Sequence, residues 1–153
     1  MANLCGISNK ASVLLSSQCH EITQKLGRPH IEAVDILLAL FAYYPSNCKL
    51  ACEILGKSFS EILITAVALL KRFDRETDPA SLVLLTASGQ AVLEDAMNFA
   101  RIRECEQCML ADLFAASYQY VAFPGVNAFL DWSDSKIGDT VTKISAVFED
   151  SVE

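Results

Sequence analysis

The chain has 153 residues, 52% hydrophobic and 20% charged, a composition that suits one folded domain and excludes a disordered segment. Its net charge of −7 repels phosphate backbones, so nucleic acid is not an expected partner. No apolar run approaches the roughly 20 residues of a membrane span, and no charged stretch followed by an apolar one opens the chain, so a protein inside the cell and away from membranes is expected.

Helical periodicity dominates. Ala11, Leu15, Cys19, Ile22 and Leu26 draw one apolar stripe, with Ser8 placed as N-cap and Gly27 as the stop. Ile36 to Phe41 is apolar on all sides and predicts a buried second helix, ended by Pro45-Ser46-Asn47. Leu50, Ala51, Ile54 and Leu55 predict a short third helix closed at Gly56. Ser58 with Glu61 three residues later has the form of a capping box. It opens a fourth helix on Ile62, Leu63, Ala66, Leu69 and Leu70.

The charged, proline-containing stretch from Asp74 to Ser81 predicts a linker, after which the pattern returns. Thr86 follows Ser8 by 78 residues, Asp112-Leu113 follows Asp35-Ile36 by 77, and Ser133 follows Ser58 by 75. A nearly constant offset predicts two copies of one helical unit. The expected fold class is all-α, about eight helices as two tandem pseudo-symmetric four-helix repeats in a single domain over 1–153. The first repeat covers about 7–72, the linker 73–84 and the second repeat about 85–150. Tyr118 to Phe123 alternates imperfectly before Pro124-Gly125 and is expected to be a loop with helical ends.

The stretch Gly27-Arg28-Pro29-His30-Ile31-Glu32-Ala33-Val34-Asp35-Ile36-Leu37-Leu38-Ala39-Leu40 resembles the turn and second helix of the Clp N-terminal domain, and Leu55-Gly56 resembles the end of its third helix. The resemblance extends over roughly residues 7 to 149 and includes the duplication. It implies a non-enzymatic module that docks adaptors or substrate segments for a Clp ATPase or protease, in the cytoplasm or the plastid stroma, with no cofactor and no metal. In relatives that recognise phosphoarginine, a Glu of this motif beside a Thr of the first helix receives the guanidinium. Here Val34 and Ala111 stand at the Glu positions, while Ser8 and Thr86 remain as the hydroxyls. Neither apolar side chain can form a bidentate, charge-assisted pair. The expectation is therefore an apolar groove at Ser8, Val34, Thr86 and Ala111.

Other motifs were weighed beside this one. Ala51-Cys52-Glu53-Ile54-Leu55-Gly56-Lys57-Ser58 fits a relaxed phosphate-loop pattern, but it has one glycine and no preceding strand, so a helix end followed by a helix start is expected. Six cysteines without secretory context favour free thiols. Cys105-Glu106-Gln107-Cys108 could instead serve a helical thiol-based metal or redox protein, with Cys48, Cys52, His20 or His30 as further ligands. Cys19 and His20 are adjacent and cannot face one another along a helix, which argues against a nucleophile–base pair. Tyr43, Tyr44, Tyr118, Tyr120, Phe123 and Trp132 fall near expected loops. Tyr43 and Tyr120 are taken as candidate partner-binding residues there.

Overall fold

The structure is a computed structural model that describes residues 6–25, 30–70, 87–122 and 133–148. Thr86, Phe123, Trp132, the Gly27 stop and the linker lie outside the described residues. The protein is mostly helical, with seven helices among those residues, none long and apolar enough to cross a membrane.

Helix α1 covers residues 9–25, where Asn9–Val13 and Cys19–Lys25 flank a π-helical stretch, Leu14–Gln18. Ser8 is its N-cap, accepting the Ala11 N–H at 3.2 Å. The π stretch changes which residues face inward. Ala11, Leu14, Cys19 and Thr23 are buried, spaced by 3, 5 and 4, while Leu15 and Ile22 sit at the margin. The step of five spans the wide turn, which an unbroken 3.6-residue stripe does not anticipate.

Helix α2 is Ala33–Tyr43 and α3 is Pro45–Leu55. Only Tyr44 separates them. α2 ends before Pro45-Ser46-Asn47 as expected, and the same residues open α3: Pro45 occupies its first turn, where its missing N–H costs no hydrogen bond and its fixed φ suits the helix. Gly56 closes α3 in the left-handed region (φ 87°), with Gly56 N–H on Glu53 C=O and Lys57 N–H on Cys52 C=O. Ser58 then caps α4 (Phe59–Leu70) by accepting the Glu61 N–H at 3.1 Å. Residues 51–58 are thus one helix end and one helix start.

Helix α5 is Ala87–Ile102, α6 is Leu110–Ala122 and α7 is Asp134–Phe148. The expected loop over Tyr118 to Phe123 is corrected as far as Ala122: α6 continues through it, and its aromatic residues point into packing on several sides. A buried helix carries apolar residues all round, so strand-like alternation within it has no directional meaning.

Helices α2 and α6 pack against each other at the centre. Every side chain from Leu110 to Gln119 is buried, as is every one from Ala33 to Phe41 except Leu38. Helices α1, α3 and α4 cover α2, while α5 and α7 cover α6. Phe114 lies 5.8 Å, ring to ring, from both Tyr118 and Phe148, tying α6 to α7. Each fully buried large apolar side chain contributes about 1.5–3 kcal/mol. Buried hydroxyls bond within their own helices: Thr23 donates to Cys19 C=O and Ser117 to Leu113 C=O, both at 2.7 Å.

Two short strands join distant segments. β1 (Gly6–Ile7) pairs in parallel with β2 (Gln107–Cys108), and the Ser8 N–H extends the contact to Cys108 C=O at 2.9 Å.

Candidate functional site

Two turns lead into the central helices, and both are held by an aspartate three residues into the helix. Asp35 accepts the Glu32 N–H at 2.8 Å, and Asp112 accepts the Met109 N–H at 2.9 Å. The second turn has an additional tie. Arg103 forks onto Asp112, Nη2 to Oδ2 at 2.6 Å and Nε to Oδ1 at 3.1 Å, with both side chains buried. Burial pushes the Asp112 carboxyl up, and the guanidinium fork and the Met109 N–H oppose that shift.

The residues expected at a groove occupy other surroundings. Ser8 is buried and spent on capping α1. Its backbone bond runs to Cys108, so it joins the turn before α6 instead of the turn before α2. Val34 and Ala111 are both buried. They belong to the contact surfaces of the two central helices and present no groove wall. Tyr120 is partly buried and donates its hydroxyl to Asp95 at 3.1 Å, beside Gln119 Nε2 on the same oxygen. Among the described candidates Tyr43 has the most open surroundings, donating to Glu21 at 2.7 Å.

An apolar groove of about 400 Å³ lies between α1, α2 and α4. α1 contributes Ile22 and Lys25, and α2 contributes Leu38, Phe41 and Ala42. α4 closes the far side with Phe59, Leu63 and Val67. The Phe41 and Phe59 rings lie 4.6 Å apart and brace the two walls. In the α4 wall Val67 is 43% exposed, and Ile64, three residues before it on α4, is 70% exposed. Lys25 is the one charged lining residue, and it bonds Glu21 at 3.2 Å. Glu21 is held below the ordinary carboxylate range by the Tyr43 hydroxyl and by Lys25.

The thiols are mainly packing groups. Burial pushes Cys19 up to about 12, with Asp35 adding to the shift, and burial alone takes Cys52 to about 12. Cys48 is raised further by burial and by neighbouring Cys52. A protonated thiol is neither a nucleophile nor a metal ligand. Among the described residues no three His, Cys, Asp or Glu side chains gather as a metal site, and all five described cysteines are free.

The groove was missed because the expectation followed a motif, whereas exposure identifies it. A signal was present: α4 is apolar at Ile62, Leu63, Ile64, Ala66, Val67 and Ala68, more faces than one core contact uses. No protein-family model matches the chain, and no curated protein gives a significant match.

Proposed function

We propose that the chain is a non-enzymatic docking module of the Clp N-terminal kind, holding a segment of an adaptor, a client or a Clp subunit in the groove between α1, α2 and α4. The observation that carries this reading is the apolar groove continued by the exposed Ile64 and Val67. Contiguous exposed apolar surface is characteristic of interaction sites.

Correspondences between the two halves of the chain support the Clp part of the reading. Asp35 and Asp112 perform one capping role 77 residues apart, and both central helices begin two residues before them. Ser58 and Ser133 perform another 75 residues apart, each accepting the N–H three residues on at 3.1 Å. The matching of caps, helix starts and burial is what two copies of one unit would produce.

Affinity capture from native cell extract tests the proposal, with the wild type and Ile64→Asp/Val67→Asp as baits. Both positions are solvent-exposed, so the variant should keep its fold to within about 0.5 kcal/mol per site. A Clp ATPase or protease subunit, or an adaptor of one, is expected on the wild type and depleted on the variant. Equal recovery on both baits would remove the groove from the reading. Groove-dependent capture containing no Clp component would remove the Clp assignment.

A further inference from the structure

We propose that the groove's occupant is a single amphipathic α-helix of another protein, with a carboxylate at the end that lies by Lys25; this rests on the docking reading above. The argument begins with what the walls offer. Leu38, Leu63 and Val67 lie within helices, whose backbone groups bond within the helix. Seven lining side chains are apolar and the eighth is Lys25. An extended segment would bring an N–H and a C=O at every residue into a place with almost nothing to receive them. A helix satisfies its own backbone and presents only side chains.

The shape agrees with that choice. Leu63 and Val67 are four residues apart on α4, and Ile64 and Val67 three apart, so α4 presents the two ridge directions that receive a neighbouring helix. The apolar character of this face is not required to build such a helix. α7 is opened by Ser133 as α4 is by Ser58, and from the second to the tenth residue after the cap the two helices have the same pattern of burial. Ile62 and Ala66 are buried, as are Ile137 and Val141. At the exposed steps, however, α4 has Ile64 and Val67 where α7 has Asp139 and Thr142. The same kind of helix was therefore built with a polar outer face elsewhere in the molecule.

Charge fixes the orientation. Lys25 lines the groove at the end of α1, and its partner Glu21 also receives the Tyr43 hydroxyl. When Lys25 turns to an incoming carboxylate, Glu21 keeps that hydroxyl. The exposed pair Lys25–Glu21 is of the weakly held kind, so the exchange meets little resistance.

Two displayed peptide libraries decide the matter. Both use segments of about 16 residues, roughly 24 Å as a helix, with equal apolar content. One has a helix-favouring frame, and the other carries Pro at every fourth position. Each is selected on the full chain and on Val67→Asp, whose fold is checked by circular dichroism. The helical library should enrich on the wild type by about tenfold over the variant. Its selected sequences should place apolar residues at i, i+3 or i+4 and i+7, with Asp or Glu at one end. Lys25→Gln should weaken those clones by about threefold and leave clones without the carboxylate unchanged. Enrichment of the proline library, dependent on Val67, would overturn the helical occupant while the docking reading stands. Failure of both libraries to distinguish wild type from Val67→Asp would overturn both. Val67-dependent self-association in sedimentation would assign the groove to a second copy and overturn the hetero-partner.

Discussion

Helices α4 and α7 are opened by the same device, yet they treat their neighbours differently. At the fifth residue after the cap, α4 has Leu63 and α7 has Gly138. A Cβ built on Gly138 would stand 3.4 Å from the Ile102 side chain, so α7 lies close upon α5. On α4, Leu63 and Phe59 form one wall of an open groove. The contact of α7 with α5 is therefore closed by a small residue, and the space beside α4 is left open by large ones. The comparison separates what the fold needs, a capped helix with Ile62 or Ile137 inside, from what it leaves free for a partner.

The largest effect is expected at the turn into α6. Asp112 has the Arg103 fork, and Arg103→Ala would leave a buried carboxylate without its cation. A loss of about 3–5 kcal/mol in urea-denaturation stability is expected. A loss under 1 kcal/mol would mean that water reaches the turn and that the second half is less sealed than its burial indicates.

Gly138 tests the closure itself. Gly138→Leu gives α7 the residue that α4 carries at this step. Overpacking against Ile102 should cost about 1–3 kcal/mol. Gly138→Ala meets only a tight contact and removes a helix-interior glycine, so it should be neutral or gain up to about 1 kcal/mol. Equal tolerance of both variants in thermal melts would show that α7 moves away as readily as α4 stands off.

The shared caps should respond alike. Ser58→Ala and Ser133→Ala each remove one acceptor at 3.1 Å from a third-residue N–H and should each cost about 1 kcal/mol. Values that differ by more than the measurement error would show that the two helix starts are equivalent in geometry but not in energy.

Much of this was legible before the fold was in hand. Ser8 and Ser58 were readable as caps because a side-chain oxygen before an apolar run has a single local use, and Gly56 because it follows one. The other features depended on tertiary context. Pro45 marks the end of α2 as expected, but that it also opens α3 did not show, because a proline after a helix and one in a first helical turn look alike in sequence. The π stretch in α1 shifted the inward face from Leu15 to Leu14, a change that the five-residue step produces and that no propensity announces. Glu104 holds the left-handed position (φ 58°) that glycine usually takes, so the end of α5 carried no glycine signal. Val34 and Ala111 were placed at a surface by motif alone, and only packing shows them inside.

The smallest effect concerns Asp95, which sharpens the contrast between a Tyr held by packing and a Tyr left at the surface. Tyr43 and Tyr120 both donate to a carboxylate, and both are raised above the usual phenol range, Tyr120 to about 12 mainly by burial and Tyr43 through its bond to Glu21. Their acceptors shift in opposite directions. Glu21, in water, is lowered by the Tyr43 hydroxyl and Lys25. Asp95 is raised, because burial and neighbouring Glu94 outweigh the Tyr120 hydroxyl. A carboxyl raised in the folded state favours folding at pH below its unfolded value, near 3.9, and that contribution is lost as pH rises through the folded value. At neutral pH Asp95 is thus a small liability. Asp95→Asn keeps an acceptor for Tyr120 and removes the charge, so it should stabilise the protein at pH 7 by less than about 1 kcal/mol, given the partial exposure. The advantage should shrink towards pH 4 and vanish below it. Chemical denaturation across that range measures it. An advantage that grows on acidification would mean that Asp95 is stabilised as the anion by its two donors, and that the α5–α6 contact resembles the solvated Tyr43–Glu21 pair instead of the sealed one described.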